Sequence, residues 1–166
     1  LGTLGRGIAT RAAGLGMDVT GVRRTPLPVD HVREVHPPDH LLTAIEDARF
    51  VALAVPLTEE TRGMIGAEQL DAMRDDAYLI NVARGPVLDT TALLWALRSN
   101  RLRGAHLDVT DPEPLPNDHP LWDLETVRIT PHNAGYTPKY YDRLADILAE
   151  NVRRAEAGEE LANVVA

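Results

Sequence analysis

The fold is indicated by residues 1–22, LGTLGRGIATRAAGLGMDVTGV, in which a pair of glycines precedes a helical pattern and that pattern precedes a strand. Residues 6–15 are rich in small and apolar residues, which predicts a helix that packs closely on a sheet. Gly16 follows this stretch, as a glycine often follows the end of a helix. Residues 17–22 then predict a short strand. A helix that leads into a strand is part of a repeating α/β unit, so the rest of the chain should continue the alternation.

The remainder of the chain does alternate between strand and helix patterns. Its strongest strand signal is the apolar run Phe50–Val55, which predicts a strand buried on both faces of a parallel sheet. Asp89 and Thr90 are residue types that cap helices, so a helix should begin after them. Two proline-rich stretches, 26–38 and 112–120, predict ordered loops. Further predicted helices cover 41–48, 67–73, 92–97 and 138–157, and further predicted strands cover 78–81, 104–109 and 127–130.

Alternation at this spacing predicts the α/β class, with a Rossmann-type doubly wound parallel sheet. Ligands of such sheets bind beyond the carboxyl ends of the strands. Polar side chains at those ends are therefore the candidate site residues.

The composition narrows the classes of protein that fit. A chain of 166 residues with 44% hydrophobic residues can form one domain with its own core. We expect no membrane span, because the apolar runs fall short of the roughly 18–20 residues required. The net charge of −8 argues against nucleic acid as a partner. With no cysteine and no visible signal peptide, we expect a cytoplasmic protein without a metal site.

The glycine pair gives the first functional expectation. Gly2, Thr3, Leu4 and Gly5 form a G-x-x-G spacing, the second half of the G-x-G-x-x-G pattern that binds a dinucleotide. Gly2 would let the backbone approach the pyrophosphate, and the helix N-terminus would face it with unpaired N–H groups. The strand that normally precedes this pattern is expected to be missing from the chain, which should therefore fold poorly by itself.

The second expectation concerns the choice of nucleotide. About twenty positions after the glycines, NAD sites place an acidic residue on the ribose hydroxyls. Arg23 and Arg24 occupy that region here. Because an arginine can bind a 2′-phosphate through two parallel hydrogen bonds, the sequence favours NADP over NAD, or the use of both.

Several motifs in order resemble the D-isomer-specific 2-hydroxyacid dehydrogenase family over almost the whole chain. They are the glycine loop, Val55-Pro56-Leu57-Thr58-Glu59-Glu60-Thr61, Asn81-Val82-Ala83-Arg84-Gly85, Leu107-Asp108-Val109 with Glu113-Pro114, and Thr130-Pro131-His132. The resemblance implies hydride transfer between NAD(P)H and a small 2-oxo or D-2-hydroxy acid, in the manner of a glyoxylate or hydroxypyruvate reductase.

That reaction requires an anchor for a carboxylate and a proton donor at the C2 oxygen. Arg84 is the natural anchor, since its planar guanidinium binds a carboxylate with two hydrogen bonds. His132 is the natural proton carrier, because imidazole titrates nearest to neutral pH. Glu113 should lie against the other ring nitrogen and favour the protonated imidazole. The resemblance implies the same three catalytic roles.

The resemblance also implies which residues hold the cofactor. Asp108 would contact the amide end of the nicotinamide, Pro56 and Thr61 would line the adenosine side, and the backbone of Val82, Ala83 and Arg84 would hold the nicotinamide. The expected cofactor set is completed by the glycine-loop residues, Arg23, Arg24, His132 and Gly135.

The domain organisation follows from the same resemblance. Residues 1–150 are expected to form the NAD(P)-binding domain, and residues 151–166 a tail that returns to a substrate domain mostly absent from the chain. A homodimer is expected. Two other functions stay open at this stage: formate dehydrogenase, against which Glu113 argues because that family pairs its histidine with glutamine, and a non-enzymatic dinucleotide sensor of the corepressor type.

Overall fold

The structure, a computed structural model that describes residues 1–164, alternates helices and strands along the chain. It divides into two compact units, Leu1–His132 and a second that begins at Asn133. In chain order the elements are α1 (Thr3–Gly14), β1 (Thr20–Val22), β2 (Glu34–His36), α2 (Leu41–Ile45), β3 (Phe50–Leu53), α3 (Ala67–Ala72), β4 (Tyr78–Asn81), α4 (Thr90–Arg98), β5 (Gly104–Leu107), β6 (Val127–Ile129) and α5 (Tyr140–Ala157).

All the paired strands of the first unit run parallel. β1 pairs with β2, and a four-stranded sheet has the order β3-β4-β5-β6. A single register row crosses that sheet through Val51, Leu79, Ala105 and Val127. This parallel arrangement, with α-helices in the connections from β2 to β5, confirms the predicted Rossmann-type α/β fold. Because the strands are parallel, their carboxyl ends lie along one edge of the sheet.

The two sheets can be compared with the strand order of a Rossmann fold. In the order 3-2-1-4-5-6, the first strand lies between strands 2 and 4. The pair β2-β1 corresponds to 3-2, and the series that starts at β3 corresponds to the strands from 4 onward. The break therefore falls where the expected first strand would lie.

The core forms where β4 and β5 meet the helices beside them. Its largest fully buried side chains are Ile65, Leu70, Leu79, Leu93, Leu107, Leu121 and Val87. Leu93 and Leu97 face this core from α4, which begins at the predicted cap: the Asp89 carboxylate accepts hydrogen bonds from the N–H groups of Thr91 and Ala92. The capping prediction for Asp89 is confirmed, whereas Thr90 is the first residue inside the helix.

The strand predicted from the apolar run Phe50–Val55 is shorter and more exposed than expected. β3 ends at Leu53, and only Val51 and Leu53 are buried. Phe50 is 49% exposed and stacks on Tyr78, with ring centroids 5.7 Å apart. Val51 and Leu53 face the core, whereas Phe50 and Ala52 point to the opposite face of β3, which residues 1–164 leave exposed. The expected burial on both faces is therefore not seen in this chain.

The remaining differences concern element boundaries. Residues 34–36, inside the stretch predicted to be a loop, form β2 beside β1. β1 begins at Thr20 rather than Met17, and α5 begins at Tyr140 rather than Pro138. Gly16 follows the end of α1, as predicted, with a φ of 81°, a left-handed conformation that glycine adopts readily. No helix among residues 1–164 is both long and apolar enough to cross a membrane.

Candidate active site

Three loops at the carboxyl edge of the four-stranded sheet carry the predicted catalytic residues. Arg84 follows β4, Asp108 and Glu113 follow β5, and His132 follows β6. These strands are neighbours in the sheet, so their loops emerge side by side.

The loop after β4 is shaped by a buried amide. Asn81 has no exposed surface, and its Oδ1 accepts the N–H of Ala83 at 3.0 Å while its Nδ2 donates to the carbonyl of Arg84 at 3.1 Å. The chain is thereby held in a tight turn between the buried Ala83 and Gly85, while Arg84 itself is exposed. Its Nη1 donates to the carbonyl of Ala83 at 2.6 Å. This geometry presents a guanidinium from a fixed turn, as a carboxylate anchor requires.

A close backbone approach joins this loop to the next one. A Cβ on Gly85 would lie 1.9 Å from the carbonyl oxygen of Thr110 and 2.8 Å from the nitrogen of Asp111. Only glycine fits there, because both neighbours are backbone atoms. The position of Arg84 is therefore tied to the loop that carries Glu113.

His132 and Glu113 form the side-chain pair that the sequence predicted. Glu113 Oε1 lies 2.7 Å from His132 Nδ1. Both side chains are partly open, with 46% of the histidine and 42% of the glutamate exposed. Since the carboxylate engages Nδ1, the tautomer and ring orientation are fixed and Nε2 is the nitrogen through which a proton can be exchanged.

A second polar contact links β5 to the histidine loop. The hydroxyl of Thr130 donates to Oδ1 of Asp108 at 2.5 Å, and Asp108 is only 4% exposed. The carbonyl of Thr130 accepts the N–H of His132 at 2.9 Å. His132 has a φ of 52°, so its backbone is held in the left-handed region. Thr130 and Asn81 lie in the motifs quoted above, but neither had a predicted role. A polar residue directly at the end of a strand could have marked each of them as a candidate for the site.

The start of α1 has the character of an anion site. Gly2 is the N-cap residue, no side chain caps the helix, and its first turn has no acidic residue. Gly2, Thr3 and Leu4 are exposed, so the unpaired N–H groups of this turn are accessible. This donor set fits a pyrophosphate. Gly5 is half-buried, and a Cβ there would meet only the side chain of Leu1, in ordinary contact.

Arg23 and Arg24 follow the end of β1, as expected. Arg23 lines a cavity of about 310 Å³, and Arg24 is exposed beside it in sequence. The other residues that line the cavity are Arg6, Thr10, Pro28, Val29, Asp30 and His31. Two arginines and one aspartate therefore line this space, a net positive charge that fits a ligand group bearing negative charge.

The other predicted cofactor residues lie in three places. Pro56 and Thr61 belong to the loop after β3, where the hydroxyl of Thr61 donates to the carbonyl of Pro56 at 2.6 Å. Val82 directly follows β4, and its N–H donates to Leu53. Gly135 belongs to the second unit and is exposed. Within residues 1–164, no three side chains that could ligate a metal ion come together.

Comparison with known proteins gives a consistent picture. Residues 1–134 match the family model described as D-isomer specific 2-hydroxyacid dehydrogenase, NAD binding domain. A glyoxylate reductase of Korarchaeum cryptofilum is 41% identical over 99% of this chain and 50% of its own length. An (S)-sulfolactate dehydrogenase of Chromohalobacter salexigens is also 41% identical, over 93% of this chain and 50% of its own length.

A solved structure is also similar to this chain. A D-isomer specific 2-hydroxyacid dehydrogenase from Xanthobacter autotrophicus Py2, in complex with NADPH and MES, superposes with a TM-score of 0.93 at 41% identity. The match covers 100% of this chain and 68% of that one. This chain spans about half the length of the two curated relatives named above.

Gly85→Ala tests the contact that joins the first two loops. The new Cβ would press on the backbone of Thr110, so we expect a loss of about 3 kcal/mol of stability and a lower Tm. Thermal unfolding of the full-length protein, followed by circular dichroism, measures this loss. Gly14→Ala in α1 is the matched control, because a Cβ there meets nothing within 4 Å. Equal Tm values for the two variants would contradict the close approach.

Proposed function

The chain belongs to the D-isomer specific 2-hydroxyacid dehydrogenases as their NAD(P)-binding domain, and from that premise we propose that the full-length protein reduces a small 2-oxo acid to a D-2-hydroxy acid. The observation that carries the proposal is the 2.7 Å contact between His132 and Glu113, on loops adjoining the one that presents Arg84. The name of the Korarchaeum relative favours glyoxylate, and the same chemistry extends to hydroxypyruvate.

The chain's own residues account for binding and for the proton. Arg84 binds the substrate carboxylate and draws electron density from the adjacent ketone. His132, protonated and oriented by Glu113, donates a proton from Nε2 to the C2 oxygen. A bound NAD(P)H supplies the hydride to C2. In the reverse direction, neutral His132 accepts the proton of the C2 hydroxyl.

We further propose that NADP is the preferred nucleotide. Arg23 stands at the strand end where NAD sites carry a carboxylate, and it borders a cavity together with Arg6. The complex of the Xanthobacter relative contains NADPH. Arg23 would pair with the 2′-phosphate, Arg24 would add to the local positive potential, and the first turn of α1 would bind the pyrophosphate.

The same proposal covers the domain organisation, the oligomeric state, the location and the remaining cofactor residues. Residues 1–150 act as the nucleotide-binding domain, and residues after 150 return toward a substrate domain. We propose a homodimer in the cytoplasm. Pro56 and Thr61 are assigned to the adenosine side, and Val82, Ala83, Asp108 and Gly135 to the rest of the cofactor site.

An assay of the full-length protein tests the reaction. We expect oxidation of NADPH, followed by its absorbance, in the presence of glyoxylate or hydroxypyruvate. Glu113→Gln should lower kcat about 100-fold, because the imidazolium loses its anionic partner. Nucleotide binding without turnover of any 2-oxo acid would favour a dinucleotide sensor, and turnover of formate alone would favour formate dehydrogenase.

Arg84→Gln tests the carboxylate anchor. Loss of a bidentate charged contact should lower kcat/KM for the 2-oxo acid about 100-fold. Binding of NADPH, measured by its fluorescence, should be unchanged. Arg103→Gln, just before β5 at the opposite edge of the sheet, is the matched control. Normal turnover by Arg84→Gln would exclude the anchor role.

Arg23→Ala tests the choice of nucleotide. We expect NADPH to bind at least about tenfold more weakly, because a charged contact with the 2′-phosphate is lost. Binding of NADH should not change. Arg33→Ala removes the same charge from the other end of the two-stranded sheet and should affect neither nucleotide. Equal weakening of NADPH and NADH by Arg23→Ala would argue against a 2′-phosphate contact.

A further inference from the structure

Thr130 makes polar contacts with two of the groups assigned to the site. Its hydroxyl donates to Asp108, and its carbonyl accepts the N–H of His132. Its own N–H donates to the carbonyl of Leu107 at 2.9 Å, which fixes it to the end of β5. We propose that Thr130 is a positioning residue that sets the Asp108 carboxylate for the nicotinamide amide and sets the His132 turn beside it. This inference rests on the function proposed above and deepens it.

The direction of the side-chain hydrogen bond follows from the hydroxyl chemistry. A threonine hydroxyl has one hydrogen, and two groups lie near its oxygen: Asp108 Oδ1 at 2.5 Å and His106 Nε2 at 3.4 Å. The shorter contact has the length of a hydrogen bond to a carboxylate, whereas the longer one is weak. The hydrogen therefore points to Asp108.

The burial of Asp108 makes that hydrogen bond important. Asp108 is 4% exposed, so its carboxylate is largely shielded from bulk water and depends on protein donors to fix its rotamer. The backbone N–H of Asp108 is held by the carbonyl of Asn81 at 3.0 Å, which anchors the residue but not its carboxylate. Thr130 supplies a donor to the carboxylate itself. A carboxylate has about four acceptor positions, so one threonine hydroxyl is compatible with a further donor from an amide.

The backbone contact extends the effect to the proton donor. Pro131 separates Thr130 from His132, and the hydrogen bond across it closes a tight turn in which His132 has a φ of 52°. A shift of Thr130 would therefore move both Asp108 and the histidine. Thr130 would in this way position both the group that contacts the nicotinamide amide and the proton donor.

Thr130→Val removes the hydroxyl and retains the β-branched shape. Calorimetry on the full-length protein would compare NADPH with 2′-phospho-ADP-ribose, which contains every part of the cofactor except the nicotinamide. We expect Thr130→Val to weaken NADPH binding about tenfold and to leave 2′-phospho-ADP-ribose unchanged. Thr130→Ser should restore NADPH binding. If the protein prefers NADH, the pair NADH and ADP-ribose is used.

Two controls separate positioning from a loss of structure. Thr126→Val removes a hydroxyl directly before the first residue of β6, at the end of the strand opposite to Thr130. This variant should bind both ligands normally. Asp108→Asn should weaken NADPH selectively, and Thr130→Val should add little in the double variant, because the two residues act through one contact. If Thr130→Val folds poorly, the binding of NADPH and 2′-phospho-ADP-ribose is compared instead in Asp108→Asn and in the double variant Asp108→Asn with Thr130→Ser.

The outcomes distinguish this inference from the proposed function. Equal weakening of NADPH and 2′-phospho-ADP-ribose by Thr130→Val, or normal binding of both, would overturn the positioning role even in an active dehydrogenase. Failure of the wild-type protein to reduce any 2-oxo acid would overturn the proposed function, while a nicotinamide-selective loss would still support the role of Thr130.

Discussion

The parallel hydrogen-bonded row through Val51, Leu79, Ala105 and Val127 is the constraint on which the site depends. A slip of one residue in a strand would move its buried side chains to the opposite face, so the core fixes the register. With the register fixed and all four strands parallel, the residues just after β4, β5 and β6 must emerge at one edge. Residues far apart in sequence are brought to adjacent loops by backbone pairing before any side chain of the site makes a contact.

Backbone pairing alone would leave those loops free to move, and a small set of polar contacts holds them. Asn81 closes the turn of Arg84, Gly85 lets that turn touch Thr110, and Thr130 ties Asp108 to the histidine loop. Leaving a buried polar group without its partner costs about 1–3 kcal/mol, which favours the arrangement in which all are paired. The loops are therefore braced one against the next, and a change in one is expected to reach the others.

Much of this organisation could be predicted because the signals are local. The order of helices and strands follows from apolar periodicity, the start of α4 from Asp89, and the end of α1 from Gly16. The pairing of Glu113 with His132 was predicted from the family resemblance, which supplied the two positions, together with the chemistry that an imidazole acid requires. β2 was missed because three residues give no periodicity. The exposure of Phe50 was missed because an apolar run does not show which faces of its strand other residues cover. The contact between Thr130 and Asp108 was not predicted, because the strand-end signal marks Thr130 as polar but does not show which group on the neighbouring strand it meets.

The chemistry of the assigned groups bears on where substrate choice resides in this family. Under the proposed function, Arg84 and His132 would contact the carboxylate and the C2 oxygen, which every 2-oxo acid has. A domain that recognises only these shared groups can serve enzymes with different substrates. In agreement, the chain is 41% identical both to a protein named glyoxylate reductase and to one named (S)-sulfolactate dehydrogenase, over nearly its whole length. Residues that distinguish one 2-oxo acid from another by its remaining substituent must contact that substituent. Under the proposed function, those residues would lie chiefly in the half of the relatives' length that this chain does not match, while this domain would supply the proton and the nucleotide site.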